Sequence, residues 1–249
     1  MILQRLATSI RKQDWFTVVI ETLIVVFGVF IGLQVNNWNE ARQNRTLEQA
    51  YLAGIASDLE NDIDEIDEIA RIAGIRLSAL GILLETAEGN PLPDVVSSAR
   101  GLIEIEPSEP FDPAVSGSAG FALFVLTTLE GHRLTYDTMI NTGGAGIVRD
   151  RALLRRIQGY YAIAESTRDF EDEMKDSRLT LVASQQAAGL SAIDEMPPEA
   201  LATFFAEDPA LLAAARNYWI YTNRHLKLMK DLRTIAVTLR DEITGETAL

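Results

Sequence analysis

Apolar residues run almost unbroken from Val18 to Val35 in WFTVVIETLIVVFGVFIGLQV, then settle into a spacing of three and four. Only Glu21, Thr22, Gly28, Gly32 and Gln34 interrupt the first stretch. At ~1.5 Å per residue its 18 positions reach roughly 27 Å, close to the thickness of a hydrocarbon core. Bulky Asn37-Trp38-Asn39 stands where a small-x-small cleavage site would follow a signal peptide, so an uncleaved anchor is expected. Beyond it, Leu52, Ile55, Leu59, Ile63, Ile66, Ala70, Ala73, Leu77, Leu80 and Leu84 form a helical seam of coiled-coil type. No forceful breaker appears before Gly89-Asn90-Pro91. The pattern predicts a transmembrane helix over 15–37 continuing as a long extramembrane helix over 38–88, with a bend at Gly54 or Gly74 allowed.

Five prolines and Ser116-Gly117-Ser118 punctuate residues 89–120, which read as a connector with room for a short helix around 94–103. FALFVLTTL, Phe121 to Leu129, fits a strand or a buried helix; its helical surroundings favour helix. Next comes a helix, a glycine turn at Thr142-Gly143-Gly144-Ala145-Gly146, and a helix capped by Asp150 that extends to about Gln186. A short helix over 199–205 follows Pro197-Pro198, and Asp208-Pro209 opens a last helix reaching about Ile243. Residues 121–249 therefore read as a helical bundle domain, 1–14 as a cytoplasmic arm, and the fold class as mainly α.

Charge separates these parts. The chain carries −14 overall, yet residues 1–45 carry +2, leaving −16 on the remainder. An acidic body repels phosphate, so nucleic acid is excluded as a partner. Arg5, Arg11 and Lys12 before the anchor outnumber Arg42 and Arg45 after it, which places the N-terminus inside and the body outside, periplasmic for a bacterial inner membrane. Trp15 and Trp38 would mark the two interfaces. With no cysteine, disulfides and thiolate chemistry are excluded.

Within the anchor, Gly28 and Gly32 form a G-x-x-x-G that permits close helix approach. Glu21 is costly in hydrocarbon unless paired, and Gln34 offers an interhelical hydrogen bond. Asn36, Asn37, Trp38, Asn39 and Glu40 make an amide-rich collar at the exit. Seven carboxylates crowd Asp58 to Glu68; the apolar period runs through them and Ile63 replaces the glycine a calcium loop requires, so they read as a solvated helix face. His132 and His225 lack paired metal spacing and read as surface or capping residues. Tyr218, Trp219 and Tyr221 in RNYWIYTNRH suit an interaction face, or a core face with hydrogen-bonded tips. No nucleophile elbow, dinucleotide fingerprint or phosphate loop appears, and neither cofactor nor metal is expected.

Glu21 and the GVFIGLQVNNWNEARQNR that follows resemble an uncharacterised bacterial family of single-pass membrane proteins, whose apolar run ends in Leu-Gln-Ile/Val-Asn-Asn-Trp-Asn-Glu before a long charged helix. TYDTMINTGGAGIVRDRALLRRIQGYY resembles that family's second recurrent block. The resemblance implies that Glu21 and residues 34–40 are family features; it supplies no activity. The leading expectation is a membrane-anchored helical scaffold or interaction protein, homo-oligomeric or an accessory subunit among other membrane-protein subunits, without predicted catalysis. A pore lined by Gln34, Asn36 and Asn37 with Glu21 inside, and an enzyme in the outer bundle, are the alternatives.

Overall fold

The seam that begins at Leu52 does become a helix face. The computed structural model describes residues 15–98, 101–191 and 195–247, and the chain divides into two compact units, Met1–Ala50 and Tyr51–Leu249. Helix α1, Trp15–Glu88, passes through Gly54 and Gly74 without a break.

In the first unit the apolar stretch of α1 has no cover from the described residues. Its large apolar side chains between Val19 and Val35 are exposed, from 40% at Ile20 to 66% at Ile24. In the second unit the same helix packs against α5 (Arg151–Ala187) and α7 (Pro209–Thr247). Leu52 to Ile69 share one apolar cluster with Leu153 to Ala164 of α5 and Met229 to Ile243 of α7. Ala73 to Leu84 share another with Met174 and Leu181 of α5, Leu211 to Leu226 of α7, and Leu201 and Phe205 of α6 (Pro198–Glu207). Residue numbers rise from the first cluster to the second along α1 and α5, and fall along α7. The core is thus a three-helix bundle with α7 antiparallel to the other two.

The caps explain where the helices start. Asp150 accepts hydrogen bonds from the N–H groups of Ala152 and Leu153, which lowers its carboxyl pKa and satisfies two orphan donors of α5. Asp208 accepts from the N–H groups of Ala210 and Leu211 at the start of α7. In the glycine turn Gly143 takes φ 75°, and Gly144 sits so close to Tyr51 that an added Cβ would lie 2.5 Å from the ring. Arg151 closes the turn by donating to the carbonyls of Ala145 and Gly146.

Two regions differ from the expected helices. Around 94–103 there is an antiparallel hairpin, β1 (Val95–Ser98) against β2 (Gly101–Glu104), with Val96 opposite Ile103. The β-branched Val96–Ile103 pair suits a pleated ribbon, and Asn223 of α7 clamps its far end, donating to the Glu104 carbonyl and accepting from the Glu106 N–H. Downstream, α2 (Pro113–Ser116) and α3 (Ala119–Phe124) are short. The chain then stays non-helical from Val125 until α4 (Leu134–Asn141), so the expected helix covers only the first part of FALFVLTTL.

Candidate functional site

Residues 125–133 form a strap laid antiparallel along α1, and its backbone groups find partners in side chains rather than in a sheet. Arg76 donates through Nε and Nη2 to the Val125 carbonyl. Glu65 accepts from the N–H groups of Glu130 and Gly131, Asp62 from His132, and Asp58 from Thr135. From residue 58 to residue 76, α1 rises about 27 Å, and ten extended residues reach about 33–36 Å, so the strap spans these anchors nearly taut. Asp58 also serves α4, which has no side-chain cap of its own.

This corrects the reading of Asp58–Glu68 as a solvated face. Asp58, Asp62 and Glu65 fall at i, i+4 and i+7, one stripe beside the apolar seam, and Asp62 is buried. Its second oxygen accepts the Tyr160 hydroxyl at 2.6 Å, and burial pushes that phenol's pKa well above its ordinary value. Other carboxylates of the run make exposed ion pairs with α7, Glu60 with Arg240 and Asp67 with Arg233. Asp62, Glu65 and His132 bring potential ligand atoms within 4.8 Å of one another, the one grouping of metal-ligand type among the described residues. Each of those carboxylate oxygens already accepts from the strap or from Tyr160, so the three serve to hold the strap.

Where the two apolar clusters meet, Glu171 of α5 is buried and accepts from the Leu129 N–H through both oxygens, at 3.1 and 3.0 Å. His225 Nε2 lies 2.8 Å from the same carboxylate. His225 is fully buried, which corrects its reading as a surface or capping residue. His132, by contrast, keeps its ring half-exposed beside Asp62.

The aromatic stretch separates by helix face. Tyr218 and Trp219 are buried in the core. Tyr221 reaches the edge, stacked on Phe170 with centroids 5.7 Å apart, and the Arg224 guanidinium lies 4.6 Å from the Phe170 ring centroid. Together with Leu102, Ile103 and Lys227 they line a groove of about 570 Å³ between the hairpin and α7. Sequence reasoning missed the hairpin wall of this groove.

In the first unit, Gly28 and Gly32 have no neighbouring atom within 4 Å of where a Cβ would stand. Glu21, Gln34, Asn36, Asn37, Asn39 and Glu40 are exposed, as is Trp38 at 68%. The side chain of Trp15 lies outside the described residues. Val19–Glu88 contains a stretch long and apolar enough to cross a membrane.

Sequence reasoning also missed Arg76. Its signal was its position: it stands between Ala73 and Leu77 on the apolar seam, where a charge demands a buried partner.

No curated protein and no solved structure matches the chain. Residues 21–89 match a family of unknown function (DUF6090); the match takes in the apolar stretch, the collar and the part of α1 that holds the strap, while the second resembling block at 135–161 lies beyond it.

Proposed function

We propose that the protein is a membrane-anchored helical scaffold, inserted through residues 15–37 with the N-terminus cytoplasmic and the helical bundle periplasmic at a bacterial inner membrane. The observation that carries this reading is the run of apolar side chains from Val19 to Val35 that none of the described residues covers. Between Val18 and Val35 stand thirteen Leu, Ile, Val and Phe residues. At about −0.3 to −0.6 kcal/mol each they favour insertion by roughly −4 to −8 kcal/mol, against about 2.5–3.5 kcal/mol for a carboxylate at mid-membrane. Glu21 lies nearer the end of the span, where the cost falls, so insertion wins.

The same uncovered helix supports association with a second copy or with other membrane subunits. Gly28 and Gly32 leave one stripe of the anchor without side chains, and Glu21 and Gln34 gain most from a partner's polar groups. The collar then meets water, a neighbouring copy or a partner just past the interface. The groove beside Tyr221 adds a surface for an extramembrane partner, with aromatic rings flanked by Arg224 and Lys227.

Alkaline extraction of membranes followed by native mass analysis in mild detergent tests both parts. The anchor predicts that the chain stays in the pellet at alkaline pH, and the scaffold predicts a complex heavier than one chain. Release into the supernatant would remove the membrane reading, and a lone monomer bringing nothing with it would remove the scaffold reading. Phe substitutions at Gly28 and Gly32 are expected to disperse a complex built on this helix while leaving the chain in the membrane.

A further inference from the structure

Beneath the first residues of the strap lie two guanidinium groups with no counter-charge among the described residues, Arg76 fully buried and Arg178 half-buried. Arg76 of α1 is fully buried; its Nε and Nη2 donate to the Val125 carbonyl at 3.0 and 2.8 Å, and its Nη1 has no partner among the described residues. Arg178 of α5 donates through Nη1 to the neighbouring Phe124 carbonyl at 3.2 Å and lies 5.3 Å over the Phe124 ring, while its buried Nε is also without a partner. Both charges act on the same phenol. The Tyr218 ring is 5.9 Å from the Arg76 guanidinium, and its buried hydroxyl has no hydrogen-bond partner. Thr127, two residues along the strap from Val125, carries another buried, unpartnered hydroxyl.

The electrostatics are unbalanced. Burial and the nearby Arg178 both lower the Arg76 pKa, opposed by Tyr218, and burial raises the Tyr218 pKa, opposed by the two arginines. A lysine in this place would shed its proton; arginine stays charged. Among the described residues no carboxylate pairs with either one, and the buried carboxylate of α5, Glu171, is committed to Leu129 and His225. A buried, unpaired charge costs several kcal/mol, and native structures rarely leave such donors idle.

We propose that this cluster binds a small inorganic anion, held by Arg76 Nη1, Arg178 Nε and the Tyr218 hydroxyl, with Thr127 as a further donor. Every one of these groups donates, two carry full positive charge, and none has a competing acceptor, which is the chemistry an anion requires. Arg178 also forms part of the wall of a surface cavity of about 450 Å³ with Phe124, Val125, Thr128 and Lys175. The cavity is walled in part by Val125, whose carbonyl Arg76 holds, and Lys175 at its rim is paired with Asp172. An anion arriving there needs only the 125–128 segment to shift to reach the paired guanidiniums. Occupancy would fasten the strap at the end opposite its carboxylate anchors.

The full chain in mild detergent, unfolded thermally at constant ionic strength while gluconate is replaced by chloride or by phosphate, tests the proposal. A saturable rise in Tm with either small anion is expected, and the ranking of the two separates a monatomic from a tetrahedral occupant. Tyr218→Phe keeps the ring and is expected to weaken the half-saturating concentration about tenfold, the loss of one charge-assisted donor. Arg76→Met is expected to abolish the response; Arg178→Gln makes the same comparison should the first variant fail to fold. Equal Tm in chloride, phosphate and gluconate would overturn the site, and so would a response that survives in the arginine variants.

Discussion

Replacing Glu171 with alanine removes three hydrogen bonds at once, the two from Leu129 N–H and the one with His225 Nε2. All the groups are buried, so water cannot replace the lost acceptor. Two donors left without partners cost about 1–3 kcal/mol each, and removing one buried methylene adds about 0.8 kcal/mol. Partial relaxation of the strap trims that sum, so the expected loss is about 3–5 kcal/mol, the range found on breaking buried polar pairs. For a unit the size of Tyr51–Leu249 this lowers Tm by roughly 10 °C. Thermal unfolding of the full chain in detergent, followed by circular dichroism, measures it. Glu171→Gln keeps the length and one acceptor, and should lose about half as much. A double-mutant cycle with His225→Ala should show coupling of about 1 kcal/mol or more. If Glu171→Ala costs less than about 1 kcal/mol, the strap is not held at this point and the account of its backbone pairing fails.

Other perturbations separate the strap's anchors from the decoration around them. Asp62→Ala leaves the Tyr160 hydroxyl and the His132 N–H unpaired and should cost about 2–4 kcal/mol in urea unfolding. Asp67→Ala, which breaks only an exposed pair with Arg233, should leave the midpoint unchanged. Gly144→Ala drives a Cβ to within 2.5 Å of Tyr51 and should cost about 1–3 kcal/mol by overpacking, whereas Gly146→Ala enters open space and should match the native Tm or exceed it. Asp150 has its carboxyl pKa lowered from 3.8 by the N–H groups of Leu153 and Ala152, so its stabilisation is full above that pH and is lost as pH falls through the depressed folded value. Asp150→Asn should therefore flatten the acid limb of a stability–pH profile below about pH 4 while leaving neutral pH little changed.

How much of this was legible depends on whether the partner of a residue is local. The long helices follow from periodicity and from caps that act within four residues; Asp150 and Asp208-Pro209 mark starts that the structure keeps. The strap was not legible because what ends α3 at Phe124 is tertiary. The carbonyl of Val125 goes to Arg76, 49 residues away, and the amides beyond it go to Glu171 and to α1. VLTTL alone carries no proline or glycine to announce that, and its apolar run fits a helix as well. Likewise the stripe Asp58, Asp62 and Glu65 could be placed on one helix face from its spacing. Spacing cannot say that the face meets backbone donors rather than water. The hairpin escaped because Val95-Val96 and Leu102-Ile103 are too short for their period to be told from a helix.

The matched family segment and the strap bear on each other. Residues 21–89 contain both the uncovered apolar span and, on α1, Asp58, Asp62, Glu65 and Arg76. Each of those four polar residues has its partner in residues 125–135, outside the match. A long helix with three carboxylates and a fully buried arginine on one flank is therefore an incomplete object. Left alone it would expose an apolar seam and strand a guanidinium that cannot discharge. An extended segment that supplies N–H groups along most of its length and carbonyls at one end answers both requirements, because a backbone offers donors and acceptors in any sequence. The three carboxylates and the arginine on α1 then report the path of a strap, from Thr135 at Asp58 to Val125 at Arg76.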